Sequence, residues 1–165
     1  MKLFRARARR QSARRFDPLD ASGSVTGPRG WRFNDLGTEV LYAAEVEALA
    51  ILEVAVRPGF ETITEIQIAT IEVPDGCIVG LEDVGLDLPA HWDARPAGDD
   101  TRRIARGFLD AIAGRPAGGR PAGLRVPSVL SASDFNVILD PSRKSEFKSK
   151  LTGRIPFGSL RATGS

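Results

Sequence analysis

An α+β fold is predicted by three features of this sequence: several short strand-like segments, few helical segments, and no regular alternation between the two. A doubly wound parallel sheet would need that alternation, so we expect small mixed or antiparallel sheets with flanking helices. The 165 residues, 42% of them hydrophobic and 27% charged, suit one compact domain with a single core. We therefore predict a single domain over residues 1–165.

The first predicted strand lies in a basic N-terminal segment, residues 1–16. Within it, Leu3 and three arginines alternate with Lys2, Phe4 and two alanines, which is the two-residue period of a strand. We favour a strand with one solvated basic face. The alternative is a basic arm that contacts nucleic acid or another anion through Arg5, Arg7, Arg9, Arg10, Arg14 and Arg15. A loop rich in Pro, Gly and Ser follows as far as residue 30.

Residues 30–56 place an arginine, a tyrosine and a glutamate, Arg32, Tyr42 and Glu53, in a largely apolar segment, where these residue types rarely occur together. The apolar run at 40–44, VLYAA, follows the turn-prone NDLG and predicts a buried strand. Apolar residues then recur at helical spacing from 48 to 54, and a helix there would end at Arg57-Pro58-Gly59. Glu53 lies in this helix among aliphatic neighbours, where a buried carboxylate needs a partner. Arg32 could be that partner.

The second half of the chain is predicted from periodicity and turn residues. Residues 61–73, ETITEIQIATIEV, predict a strand central in its sheet. Asp99 or Asp100 can cap a helix whose apolar residues recur every four positions from Ile104 and which ends at Gly114. Further short strands are predicted at 77–79, 124–130 and 136–139, with an extended segment at 154–157. A polar helix is predicted at 142–151, anchored by Phe147 and Leu151. The remaining segments are predicted to be irregular at 86–92, a flexible loop able to act as a lid at 114–123, and a loose tail at 161–165.

Composition excludes several classes of protein. No apolar run of about 18 residues is present, and no apolar segment follows the N-terminal arginines, so we expect neither a membrane span nor a signal peptide and place the protein in the cytoplasm. The single cysteine, Cys77, allows no intrachain disulfide, and the lone His91 has no cysteine or carboxylate company. We therefore predict no metal site.

Separated motifs in a fixed order resemble a known family. The segments GWRFNDLGTEVLYAAE, ALAILE, LRVPS and NVILDP are similar to those of the RES domain, named for its Arg, Glu and Ser. The resemblance extends from residues 3–5 to residues 155–157, which is nearly the whole chain. RES-domain proteins are toxins of bacterial toxin–antitoxin systems that degrade NAD+. The resemblance implies an ADP-ribosyltransferase-like fold with NAD+ in a cleft between small sheets.

The resemblance also implies which residues form the site. It places the family's arginine, tyrosine, glutamate and serine at four predicted catalytic residues, Arg32, Tyr42, Glu53 and Ser128. The predicted contacts to NAD+ are Trp31, Arg32, Asn34, Tyr42, Ser128 and Asn136, the last matching the asparagine of the later motif. The sequence departs from the family where Gly-Arg-Trp-Asn reads WRFN at 31–34, where a proline pair reads DL at 35–36, and where a serine is Val46. These changes bear on the shape of the loop and on substrate selectivity.

The chemistry of NAD+ cleavage explains why these residue types are needed. Departure of nicotinamide builds positive charge on the ribose, which a carboxylate at Glu53 would stabilise. Arg32 offers a planar donor fork for a diphosphate or an attacking phosphate ion. Tyr42 offers a flat face for a base, worth about 0.5–1.5 kcal/mol, and Ser128 a hydroxyl that orients phosphate or ribose. Without the resemblance, the same residues suit a structural ion pair, a core tyrosine and a turn serine.

Three functions therefore compete. The first is a toxin that cleaves the nicotinamide–ribose bond of NAD+ by phosphorolysis or hydrolysis. The second keeps the same cleft but transfers ADP-ribose to a protein, as a mono-ADP-ribosyltransferase. The third is a toxin that binds or cleaves nucleic acid through its N-terminal arginines. The resemblance implies a cognate antitoxin with an Xre-like helix-turn-helix domain, so that DNA is contacted only indirectly.

Overall fold

The computed structural model describes residues 1–9, 15–25, 30–57 and 63–156. Its strands and helices, in chain order, are β1 (Lys2–Arg9), β2 (Leu41–Ala44), α1 (Glu47–Ala55), β3 (Glu65–Glu72), β4 (Ile78–Val79), α2 (Asp99–Arg102), α3 (Ile104–Ala113), β5 (Gly123–Ser128), β6 (Ser131–Leu139) and β7 (Lys148–Pro156). Within the described ranges, no helix is long and apolar enough to cross a membrane.

The strands form one mixed sheet in the order β4-β5-β6-β2-β1-β3-β7, which confirms the α+β class. Neighbouring strands are antiparallel except for β4 and β5. The sheet is continuous rather than divided into small sheets, but β1 and β2 are registered to each other at one pair, Phe4 and Ala44. That pair therefore joins a four-stranded half to a three-stranded half.

Each face of the sheet is covered by different elements. On one face, Leu3, Leu41 and Val137 belong to a core cluster that also includes Phe147. On the other face, α3 buries Phe108 and Ile112 against the four-stranded half. Helix α1 covers the same face beside the Phe4–Ala44 pair and also contacts β1 and β3. The side chains of β2, β5 and β6 that lie between α1 and α3 form the candidate site.

Most predicted strands and helices are confirmed. The alternating N-terminal segment is β1, the ETITEIQIATIEV segment contains β3 with a neighbour on each side, and the helix around Glu53 is α1. The basic face of β1 is less solvated than predicted, because Arg5 is half-buried and donates a hydrogen bond from Nη1 to the Pro18 carbonyl at 2.8 Å. Burial lowers the pKa of Arg5 to about 10. The predicted tail, residues 161–165, lies outside the described residues.

The polar helix predicted at residues 142–151 is wrong. A short 3₁₀ segment, Pro141–Glu146, is capped by the side chain of Asp140, and Phe147 then turns the chain into β7. Strand β7 pairs with β3 from Lys148 opposite Glu72 onward, and this non-local pairing overrides the local helical tendency. Leu151 is 38% exposed and so is not a buried anchor, whereas Phe147 is buried as predicted.

The structure also corrects two predictions, the helix cap at Asp99 or Asp100 and the lid-like loop at residues 114–123. Neither Asp99 nor Asp100 caps a helix: Gly98 occupies the cap, and the two carboxylates pair with Arg102 and Arg103 one turn later. The predicted loop at 114–123 is fixed at its C-terminal end, because Ala122 is buried, donates to the Cys77 carbonyl and accepts from the Asp140 amide. Those bonds fix Ala122 directly before β5, which begins at Gly123, so this end of the segment does not act as a lid.

Candidate active site

Glu53 is the centre of a small polar cluster between α1 and the sheet. Its Oε1 accepts a hydrogen bond from Ser128 Oγ at 3.1 Å and another from Asn136 Nδ2 at 2.6 Å. The Ser128 hydroxyl is itself fixed, because it accepts from the Leu130 amide at 3.1 Å. Within the described part of the chain, Oε2 accepts no hydrogen bond and the carboxylate has no cationic partner in an ion pair. The half-buried carboxylate of Glu53 therefore accepts hydrogen bonds from neutral donors on one oxygen only.

Local geometry explains why these three residues meet. Glu53 follows Leu49 by one helical turn, and Leu49 is buried against Ala44, so both side chains face the sheet. Asn136 lies on β6 opposite Val126 of β5, two residues before Ser128. An irregularity in the β5–β6 register follows Pro127, and such bulges re-aim the side chains next to them. Ser128 is thereby brought beneath α1.

Arg32 lies near this cluster but does not bond to it. Its Nη1 donates to the carbonyl oxygens of Trp92 at 2.7 Å and Ala94 at 3.0 Å. Burial is the main cause that lowers the pKa of Arg32, with Arg95 adding to it, whereas Glu53 opposes the change. The direct pairing with Glu53 that local chemistry allowed for Arg32 is not formed, because the guanidinium donates to a loop and Glu53 accepts from Ser128 and Asn136.

Tyr42 and Asn34 form a second hydrogen-bonded unit. The Tyr42 hydroxyl donates to Asn34 Oδ1 at 2.8 Å and accepts from the Phe33 amide at 3.3 Å. Asn34 is 0% exposed, and its Nδ2 donates to the carbonyls of Ser24 and Thr38, each at 3.0 Å. Burial raises the pKa of Tyr42 well above its usual value, so the phenol stays protonated. The Asn34 side chain therefore fixes its own loop and the Tyr42 hydroxyl, and its hydrogen bonds are not directed at the Glu53 cluster.

Trp31 is joined to the site by a residue that the sequence analysis overlooked, Arg57. The Arg57 guanidinium carbon lies 4.6 Å from the Trp31 ring centroid, and its Nε donates to the Glu53 carbonyl at 3.0 Å. Loss of hydration lowers the pKa of Arg57, while the nearby Glu53 opposes that change. The signal in the sequence was its position one turn after Glu53 at the end of α1, where a cation complements the helix dipole.

Gly30 controls the entry to the loop that carries Trp31, Arg32 and Asn34. Its φ is +76°, and a Cβ at this position would collide with the carbonyl oxygen of Asn34. We expect Gly30→Ala to lower the free energy of unfolding by about 2–4 kcal/mol, because strain and a backbone clash add together. Gly37 is a matched control with φ +83° and open space around it, so Gly37→Ala should cost only about 1 kcal/mol. Urea unfolding measures both, and equal losses would contradict the clash.

An open cleft of about 400 Å³ adjoins the cluster on the side of Ser128. One wall is the segment 92–95, which Arg32 holds, and the other is the β5–β6 turn, residues 128–132. Among the residues that the structure describes, no group of three His, Cys, Asp or Glu side chains could hold a metal ion. The cleft is lined by the Asp93 carboxylate, the Arg95 guanidinium and the hydroxyl groups of Ser128 and Ser131, and Ser128 connects it to Glu53.

The RES domain matches residues 2–157 of this chain. The protein belongs to the RES-domain family. It is 33% identical over 132 residues to the "Prs ADP-ribosylating toxin" of Sphingobium sp. (strain YBL2), covering 79% of this chain and 78% of that protein. A "Toxin Res" of Yersinia enterocolitica is 32% identical over 117 residues, covering 70% and 71% of the two chains. A second "Toxin Res", from Photorhabdus laumondii, is 30% identical over 133 residues, covering 79% and 80%.

The RES-domain residues predicted from sequence fall into three groups in the structure. Glu53, Ser128 and Asn136 are brought together by direct hydrogen bonds. Tyr42 and Asn34 bond to each other, while Trp31 and Arg32 bond to neighbouring loops through Gly23 and residues 92–94. The assignment of these residues to catalysis or to NAD+ binding stays a prediction.

Proposed function

We propose that this RES-domain protein is the toxin of a bacterial toxin–antitoxin system and cleaves the nicotinamide–ribose bond of NAD+. The observation that carries the proposal is the state of Glu53. Its carboxylate is half-buried and held by two neutral donors on Oε1, with no ion pair to a described residue. A structural glutamate in this position would be expected to pair with one of the nearby arginines. An unpaired carboxylate suits a positive charge that appears only during the reaction.

In the proposed reaction, the bond between the ribosyl carbon and the nicotinamide nitrogen breaks and nicotinamide leaves as a neutral base. The ribose becomes oxocarbenium-like, and Glu53 stabilises it electrostatically through the oxygen that Ser128 and Asn136 leave open. An oxygen of inorganic phosphate or of water then bonds to the ribosyl carbon. Phosphate gives ADP-ribose 1″-phosphate, whereas water gives ADP-ribose and releases a proton.

The other predicted residues take roles that follow from their contacts. Ser128 and Asn136 hold Glu53 in one orientation and lie close enough to it to contact a ribose hydroxyl. Tyr42 and Trp31 supply flat faces for nicotinamide or adenine. Arg32 supplies positive charge near the diphosphate and fixes the segment 92–95. Asn34 acts through Tyr42, since its side chain is fully buried and hydrogen-bonded.

An ADP-ribosyltransferase-like cleft is part of this proposal. It is supported by the way that the two halves of the sheet meet at the Phe4–Ala44 pair. Helix α1 packs across that junction, and its Glu53 reaches the β5 and β6 side chains of the four-stranded half. A dinucleotide that lies beside the junction would contact both halves.

The second candidate function is transfer of ADP-ribose to a protein. It is favoured by the relative from Sphingobium, which is named "Prs ADP-ribosylating toxin". The same site would serve, because only the attacking nucleophile differs. The acceptor would then be a side chain of a target protein that enters the open cleft beside Ser128.

A cognate antitoxin is part of the leading proposal, since two relatives carry the name "Toxin Res". We propose that this partner has an Xre-like helix-turn-helix domain, that it contacts DNA on behalf of the pair, and that the toxin acts in the cytoplasm, where NAD+ is abundant. Co-expression with the product of the neighbouring reading frame tests this: growth arrest by the toxin alone should be relieved by the partner. Arrest that persists would contradict the pairing.

Incubation of the purified protein with NAD+, with and without inorganic phosphate, tests the function. Chromatography should show loss of NAD+ and release of nicotinamide, together with ADP-ribose or its phosphorylated form. In a parallel sample, NAD+ labelled in the adenylate and mixed with cell lysate would mark proteins if the second function holds. Intact NAD+ in every sample would contradict both functions.

A further inference from the structure

We propose that Arg95 is a substrate-binding residue and that the cleft between residues 92–95 and 128–132 receives a phosphate group of the ligand. This inference rests on the proposed function and adds a residue that neither the motifs nor the resemblance indicated. Its starting point is Arg32, whose Nη1 donates to two main-chain carbonyls. The guanidinium predicted to bind phosphate is therefore at least partly occupied in holding a loop.

The loop that Arg32 holds is fixed from two sides. Nη1 of Arg32 binds the carbonyls of Trp92 and Ala94, and the Trp92 ring stacks on Phe33 with centroids 6.2 Å apart and an angle of 18° between the planes. Trp92 also packs against the core cluster beneath α3. Arg95 directly follows these anchored residues, so its backbone is held at the wall of the cleft.

The charge around the cleft favours an anion. Arg95 lines the cleft, is exposed, and makes neither an ion pair nor a hydrogen bond with the described residues. Burial is the main cause of the lowered pKa of Arg32, and the positive charge of Arg95 adds to it. Asp93 lies near them and offsets part of this charge. A phosphate group bound by Arg95 would relieve the repulsion between the two cations and gain charge-assisted hydrogen bonds.

Ser128 places this anion site next to the reacting atoms. It lines the same cleft and bonds to Glu53 Oε1 at 3.1 Å. A phosphate group held by Arg95 would therefore lie on the Ser128 side of the carboxylate. Two sources offer this chemistry: the diphosphate of NAD+, or inorganic phosphate that attacks the ribose.

Binding measurements on a Glu53→Gln background, in which turnover is expected to be slow, separate these sources. Calorimetry with ADP-ribose measures the affinity for the diphosphate part of NAD+. Calorimetry with inorganic phosphate measures the affinity for the attacking phosphate ion. We expect Arg95→Ala to weaken one of the two by about 10-fold or more, with Arg95→Lys in between, because a planar donor fork is lost. Arg154→Ala, which removes an exposed arginine on the edge strand β7, is the matched control and should change neither.

The outcomes distinguish this inference from the proposed function. If the background variant binds ADP-ribose or phosphate and Arg95→Ala binds both equally well, the assignment of Arg95 is overturned and the proposed function stands. If the background variant binds neither ADP-ribose nor phosphate and the wild-type protein leaves NAD+ intact, the Arg95 assignment and the proposed function are both overturned. Circular dichroism of each variant shows that a loss of binding is not a loss of fold.

Discussion

Replacing Glu53 with Gln is expected to lower the turnover of NAD+ by about 100- to 1,000-fold, the range measured when one electrostatic group is removed from a transition state. Glutamine has nearly the same shape, and its Oε1 can still accept from Ser128 and Asn136. What it lacks is the negative charge that an oxocarbenium-like ribose requires. The loss should therefore appear in kcat, with little change in KM.

Glu47 provides the matched control for this prediction. It lies in the first turn of the same helix, is exposed, and touches none of the site residues named above. Glu47→Gln should leave both the rate and the fold unchanged. Full activity in Glu53→Gln would remove Glu53 from catalysis and would point to a structural role for the cluster.

Replacing Asn34 with Ala is expected to lower the free energy of unfolding by about 2–4 kcal/mol. The side chain is fully buried and joins Ser24, Thr38 and Tyr42, so its removal leaves several buried polar groups without partners. Urea denaturation measures the loss. A change below about 1 kcal/mol would show that the loop does not depend on this network.

Tyr42→Phe is the companion variant, because it removes the two hydrogen bonds of the hydroxyl, to Asn34 and from Phe33, and keeps the ring. We expect it to cost about 1 kcal/mol of stability. If Tyr42 serves NAD+ through its ring face, the turnover of this variant should stay within a few-fold of the wild-type value. A collapse of activity with stability retained would assign a chemical role to the hydroxyl instead.

The sequence was most informative where structure is determined locally. Alternation predicted β1, and the density of Ile, Thr and Val predicted β3. The register of β7 against β3 is a non-local property, since Lys148 lies opposite Glu72. A run rich in Lys and Ser carries little information about that pairing, which explains why a helix was predicted there.

The candidate site also divides into features that the sequence indicated and features that depend on non-local packing. The resemblance supplied Glu53, Ser128 and Asn136, but the hydrogen bonds that join them depend on the packing of α1 across the sheet. Arg32, which local chemistry allowed as a partner for Glu53, instead holds a loop some 60 residues away in sequence. The position of Arg57 at the end of α1 was a weak signal and Arg95 carried none, because the significance of both residues comes from the groups that they lie beside.

The sequence separations within the Glu53 cluster bear on the synthesis of this protein. Ser128 and Asn136 follow Glu53 by 75 and 83 residues. A growing chain therefore has its carboxylate long before it has the donors that orient it, and a fragment that ends before β6 contains Ser128 but lacks Asn136. If the protein consumes the NAD+ of its own cell, the ribosome never carries an active enzyme until the sheet is nearly complete, which leaves time for an antitoxin to bind.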